Sequence, residues 1–342
     1  MASIDFNCMA TMIGSVPYEE PDLACKTVNR FLKEWPAWPQ MPRRSNLESM
    51  YVQFTEGFPG LIIKEDKVEF ERPADIDRWI EKVFIDSQEN NYSSYSIGNE
   101  YAAGFHYCIN HAASHIKAIK GQITGPVSLG LCITDANGQG VVYDDVLAEA
   151  LARFLKLKAS WQEAKLRKKV KNTCIFIDEP YLTSLGSAFI ALSTSQISSL
   201  INEVLSGIKG LKGLHCCGST DWSMLLKLPI DIISFDSYSY LDSFICYPDE
   251  ISSFLKKGKA IAWGIVPNDE EKLEKETPNE LFDRLCESIN KLVSPDFAFK
   301  DVLSRSIITP SCGLAYLDYE STEYVLSLLG ELSGRIRKKY CQ

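Results

Sequence analysis

His215 and Cys217 are separated by a single residue, and Cys312 lies far downstream in the turn Pro310-Ser311-Cys312-Gly313. One imidazole and two thiolates suit Zn²⁺, a borderline-soft ion that prefers four N or S ligands. Three protein ligands leave a fourth position open, which is the pattern of a catalytic rather than a structural zinc site. Asp236 is a candidate fourth, displaceable oxygen ligand. Such a centre lowers the pKa of a bound thiol and delivers it as a thiolate at neutral pH. His-x-Cys alone is a weak signal, because buried Cys is common; the third Cys, in a turn, adds the weight. Cys216 alternates to the other side of its strand and is read as facing a helix layer. The remaining cysteines are read as core or surface residues.

A second constellation is Asp178-Glu179-Pro180. Both carboxylates are read as catalytic, able to hold a substrate ammonium or take a proton, with Pro180 stiffening the turn. Three further histidines, His106, His111 and His115, fall in one predicted helix. They have no acidic third ligand nearby in sequence and are read as structural.

These residues need a frame that brings distant positions together. Short apolar runs at residues 10–14, 94–98, 119–123, 174–178, 211–216, 230–235, 260–264 and 304–309 read as strands. They alternate with three- and four-residue apolar periodicity at 21–34, 75–89, 100–117, 144–170, 193–208, 221–226, 247–256, 279–292 and 319–338, which reads as helix. Eight β-then-α units predict an α/β fold, a (β/α)₈ barrel, as one domain over residues 1–342. In such a barrel the working residues sit at the C-terminal ends of the strands. Ser15, Glu100, Thr124, Asp178, His215, Asp236 and Cys312 all lie at or just beyond predicted strand ends. Residues 35–75, with a Pro/Trp-rich stretch at 35–44 and a hairpin around Glu65-Asp66, are read as an insertion between the first and second strands. No G-x-G-x-x-G or Walker pattern supports an open nucleotide-binding sheet.

The chain has 342 residues, is 45% hydrophobic and 24% charged, and carries a formal net charge of −9. That balance argues against nucleic acid and anionic membrane surfaces as partners. No apolar run reaches the roughly 18–20 residues of a membrane span, and the N-terminus shows no signal-peptide pattern. Eleven cysteines without an export signal point to a reducing compartment, read as the cytoplasm.

Taken together, Ile13-Gly14-Ser15, Thr124-Gly125-Pro126-Val127, Ile177-Asp178-Glu179-Pro180, His215-x-Cys217, Ile232-Ile233-Ser234-Phe235-Asp236 and Pro310-Ser311-Cys312-Gly313-Leu314 resemble the C-terminal catalytic barrel of cobalamin-independent methionine synthase. They also resemble the related corrinoid-dependent methyltransferases and the uroporphyrinogen decarboxylase-like barrels, over about residues 10–335. The resemblance is to a single-barrel form. It implies a zinc-dependent homocysteine methyltransferase that makes methionine, with His215, Cys217 and Cys312 as zinc ligands and Asp236 where those synthases have a Glu ligand. It also implies that Asp178 binds the amino group of homocysteine. By the same resemblance Ile13 and Ser15 match the segment that holds its carboxylate, and Glu100 matches an acid after the second strand. Two departures bear on the methyl donor. The loop Gly264-Ile265-Val266-Pro267-Asn268 has no His, and the chain's length leaves no room for an additional N-terminal barrel. Both favour a methylcorrinoid (cobalamin) donor, delivered by a corrinoid protein partner, over methyltetrahydrofolate. The alternatives are a coenzyme M-type methyltransferase, a uroporphyrinogen decarboxylase-like protein without methyl transfer, and a binding protein that keeps the metal without turnover.

Overall fold

The computed structural model describes residues 5–64, 67–111, 116–187 and 190–341. Seven strands form one parallel, curled sheet. In chain order they are β1 (Met9–Ala10), β4 (Ile119–Thr124), β6 (Thr173–Asp178), β7 (Leu211–Cys216), β8 (Ile232–Phe235), β9 (Ala260–Val266) and β10 (Ser306–Pro310). Their spatial order is β1-β10-β9-β8-β7-β6-β4. A separate small sheet pairs β2 (Leu61–Ile63) antiparallel with β3 (Val68–Phe70), and β3 parallel with β5 (Ile133–Thr134). The helices are α1 (Pro21–Phe31), α2 (Ile76–Glu89), α3 (Ala103–Asn110), α4 (Pro126–Cys132), α5 (Asp145–Arg167), α6 (Thr194–Ser206), α7 (Trp222–Lys227), α8 (Ser237–Ile245), α9 (Pro248–Lys256), α10 (Glu270–Leu273), α11 (Pro278–Asn290), α12 (Phe299–Ser304) and α13 (Tyr319–Tyr340). None of them is long and apolar enough to cross a membrane.

The predicted second strand, residues 94–98, is not a strand. Its burial alternates, as a strand's would, but its backbone groups go to side chains. Ser96 O accepts from Lys158 Nζ at 2.9 Å, Ile97 O meets His106 Nε2 at 2.7 Å, and Gly98 N donates to Glu56 Oε2 at 2.6 Å. The segment that joins the two free edges of the sheet lies in the Pro/Trp-rich stretch instead. Ala37 bridges Lys120 on β4, and Gln40 bridges Ser15 beyond β1, both in parallel sense. Four backbone bonds make these links: Trp38 N to Lys120 O (3.3 Å), Lys120 N to Pro36 O (2.9 Å), Gln40 N to Gly14 O (3.0 Å) and Val16 N to Gln40 O (2.9 Å). Pro36 and Pro39 have no N–H to offer, so the segment closes the wall without a regular ladder, and proline-rich sequence reads as loop for that reason. The paired strands β2 and β3 therefore follow the second wall segment rather than preceding it, and residues 35–40 belong to the barrel, not to an insertion. Residues 65 and 66, at the expected hairpin tip, lie outside the described residues.

Side-chain alternation divides the core in two. Ile175 and Ile177 of β6, Leu214 and Cys216 of β7 and Ile233 and Phe235 of β8 belong to the large cluster between wall and helices. Cys174 and Phe176, with Met9, Trp35, Ile232, Ala260, Ala262 and Ile307, form a second cluster that fills the barrel interior. By the same period, Asp178 and His215 at the strand ends face inward, Glu179 outward, and Lys120 and Gln122 lie on the interior face of β4.

Candidate metal centre

His215 is the penultimate residue of β7 and is buried, and the chain leaves the strand through Cys217, which is half-buried. The turn carrying Cys312 is built by its neighbours. Ser311 Oγ donates to Asn268 Oδ1 at 2.7 Å, Asn268 N donates to Ser311 Oγ at 3.1 Å, and Asn268 Nδ2 donates to Gly313 O at 3.0 Å. Leu314 N reaches Ser15 O at 2.9 Å. A Cβ on Gly313 would fall 2.1 Å from Ser15 Oγ, so only glycine lets the Ser15 hydroxyl lie against this turn. The first and last strand ends thus interlock beside Cys312.

The result is a convergence of donor atoms. One ligand atom each from His215, Cys217 and Cys312 lies within 4.8 Å of the other two. Zn–N bonds of about 2.0–2.1 Å and Zn–S bonds of about 2.3 Å in a tetrahedron place ligand atoms roughly 3.5–3.8 Å apart, so the three fit one ion with small adjustment. Two further observations support that fit. His215 Nδ1 is 3.0 Å from Ser234 Oγ, while its buried Nε2 has no hydrogen-bond partner among the described residues. A metal-ligating His commonly bonds through its other ring nitrogen, which fixes the ring and leaves the first nitrogen for the ion. Burial, with Lys120 adding to the effect, drives the imidazole pKa down to about 3, so the ring stays neutral and able to ligate. The two thiols face each other, and the hydrogen bond from Cys312 holds Cys217 below its ordinary value. The same contact, with burial, drives Cys312 well up.

Asp178 is buried next to this group. Burial raises its carboxyl pKa to about 7 against the pull of Lys120, and its Oδ1 has no partner among the described residues. It interacts electrostatically with both Cys217 and Cys312. Glu179 points the other way. Its oxygens accept from Val127 N at 3.0 Å, Ser128 N at 2.8 Å and Ser128 Oγ at 2.6 Å, all in the first turn of α4. A Cβ at Gly125 would stand 2.1 Å from Glu179 Oε1, so Thr124-Gly125-Pro126 and Asp178-Glu179-Pro180 are two halves of one joint. Both Glu179 oxygens are thus engaged at a helix N-terminus.

Asp236 is not among the converging atoms. It caps α8, its Oδ1 accepting from Ser239 N at 2.9 Å. Glu100 is exposed and not part of the group; its carbonyl meets Arg44 Nη1 at 3.5 Å. Ile13 is buried and Ser15 half-buried beside Cys312's turn. His111 ends α3, stacked on Tyr107 with ring centroids 4.0 Å apart, and His115 lies outside the described residues. All eleven cysteines are free thiols. Sequence reasoning missed Lys120, Ser234 and Asn268. A Lys and a Gln inside the apolar run Ile119-Lys120-Gly121-Gln122-Ile123 were the available signal.

No protein-family model matches the chain, and no curated protein matches it in sequence. Solved structures do match in fold. A B12-independent methionine synthase from Shewanella sp. W3-18-1, in complex with selenomethionine, aligns over 97% of this chain and 98% of its own, at 15% identity and TM-score 0.57. A putative vitamin-B12 independent methionine synthase from Listeria monocytogenes aligns over 96% and 97%, at 15% identity and TM-score 0.58. A methyltransferase from Methanosarcina mazei aligns over 99% and 95%, at 11% identity and TM-score 0.58. The chain shares their fold along its whole length.

Proposed function

We propose that this barrel is a zinc-dependent methyltransferase that moves a methyl group onto a thiol, with homocysteine as the acceptor and methionine as the product. The observation that carries the reading is the meeting of His215, Cys217 and Cys312 beside a buried carboxylate with a free acceptor, Asp178 Oδ1. His215, Cys217 and Cys312 would hold the ion, and Ser234 would keep the imidazole turned toward it. Zinc, when bound, supplies a lowered pKa for a thiol at its fourth position. The thiol sulfur then attacks the methyl carbon of the donor. A sulfur–carbon bond forms, and the electrons of the broken bond leave with the donor. Asp178 pairs with the substrate ammonium, while Ile13 and Ser15 take its carboxylate. That placement supplies much of the rate, because the reaction asks little else of the protein.

The donor follows from acid–base chemistry. Methyltetrahydrofolate must be protonated at the departing nitrogen, whereas a methylcorrinoid leaves with both electrons on cobalt and needs no proton. The loop after β9 is Pro267-Asn268-Asp269; Asn268 is spent on the Cys312 turn and Asp269 on capping α10, its Oδ1 accepting from Lys272 N at 3.0 Å, so neither is free to serve as a general acid. A methylcorrinoid, carried by a corrinoid protein, is therefore the donor in this reading. The fold neighbours described as B12-independent make folate the donor to test against it.

The test combines metal analysis with transfer assays in which methylcobalamin and methyltetrahydrofolate are each offered homocysteine and coenzyme M. The expected outcome is about one zinc per chain and methionine formed from methylcobalamin. Transfer to coenzyme M but not to homocysteine would replace the amino-acid acceptor with a sulfonate thiol. Zinc-free protein, or no transfer to either thiol, would refute the proposal.

A further inference from the structure

Lys120 has no exposure at all, yet it stands on the interior face of a barrel strand. Its ammonium donates to the carbonyl of Ile13 and to Gln122 Oε1 at 3.3 Å, and lies 4.4 Å over the ring of Phe176. Barrel packing does not call for a cation here, since the neighbouring interior positions are filled by Cys174, Phe176 and Met9. An unpaired ammonium is expensive to bury. No carboxylate of the described residues lies within ion-pair distance of it. Asp178 acts on it electrostatically from the next strand of the wall, while Asp178 Oδ1 is itself without a partner. The barrel interior thus carries a lysine and a carboxyl group on neighbouring strands that act on each other electrostatically without forming an ion pair among the described residues.

The contacts of Lys120 converge on one segment. It holds Ile13 directly. It also holds Gln122, whose side chain closes against Gly14: a Cβ there would come within 2.9 Å of Gln122 Cδ and 2.5 Å of Gln40 Oε1. Ser15, next in the chain, is locked against Gly313 and so sits beside Cys312.

We propose that Lys120 is a positioning residue that makes this site select a thiol bearing an α-carboxylate: it fixes the Ile13-Gly14-Ser15 segment through the Ile13 carbonyl and sets a positive charge on the carboxylate side, while Asp178 serves the ammonium. The inference rests on the thiol-binding reading given above.

The test compares zinc-loaded wild type with Lys120→Met. Homocysteine is titrated by calorimetry, in parallel with 3-aminopropanethiol, which has the same thiol and amine but no carboxylate. Zinc affinity is read separately by chelator competition. The expected result is that the preference for homocysteine over 3-aminopropanethiol falls about tenfold in the variant, with zinc affinity undiminished, because removing a positive charge does not weaken a cation site. An unchanged preference would overturn the role, as would parallel loss of zinc and both thiols, which marks a purely structural residue. Should Lys120→Met fail to fold, Lys120→Gln, which keeps a donor for Ile13 but no charge, carries the same expectation; a wild-type preference in it, or its failure to fold, would overturn the proposal. Wild type that bound neither thiol would refute the functional reading and this assignment with it, whereas wild type that bound both, with the preference untouched by either variant, would refute only Lys120.

Discussion

Replacing Cys312 with Ser is expected to cost the protein its metal, with zinc affinity falling by more than the roughly hundredfold that loss of an outer-sphere contact costs and thiol methylation falling with it. A serine hydroxyl stays protonated and is a poor ligand for a borderline-soft ion. The surviving His215 and Cys217 make only a two-ligand site. The fold should survive, because the turn is held by Ser311, Asn268 and Gly313 rather than by the Cys312 side chain. Chelator competition, paired with the thermal unfolding midpoint of the metal-free protein, checks both parts. A variant that kept full zinc and full activity would contradict the site.

Asp178→Asn is expected to leave zinc in place and to lower kcat/KM for homocysteine about a hundredfold, mostly through KM. Breaking one partner of a desolvated charge pair costs roughly 2–5 kcal/mol. The amide matches the carboxylate in shape, so the loss reports charge rather than packing. A thiol without an ammonium should lose little, and side-by-side kinetics on homocysteine and coenzyme M separate the two cases. A loss of equal size for both thiols would show that Asp178 serves the barrel rather than the substrate.

Much of this site was legible before any fold was known. His215, Cys217 and Cys312 are metal-ligating residue types at predicted strand ends, and parallel-barrel logic sends strand ends to one face. Cys216 was placed outward by alternation alone, and the structure has it in the wall–helix cluster. Glu179 shows where the same rule was underused. Next to an inward Asp178 it must face outward, where the N-terminus of α4 takes both of its oxygens. Asp236 looked like a ligand because of its position, but a carboxylate three residues before a free helical N–H is equally an N-cap, and it caps α8. The second wall segment was hidden by Pro36 and Pro39, which suppress the strand signal at the place where the barrel closes. Residues 94–98 mimicked a strand because their alternating burial is satisfied by Lys158, His106 and Glu56 rather than by a neighbouring strand. Asn268 could not be anticipated, since its partners, Ser311 and Gly313, lie beyond three helices and a strand in sequence.

X-ray absorption at the zinc edge, on protein reconstituted with one equivalent of metal, reads the ligand shell itself. We expect two sulfur neighbours at about 2.3 Å and one imidazole nitrogen at about 2.0–2.1 Å, with a third sulfur entering when homocysteine is added. A shell of oxygen and nitrogen alone, or a sulfur count that homocysteine leaves unchanged, would contradict a thiol-activating centre at His215, Cys217 and Cys312.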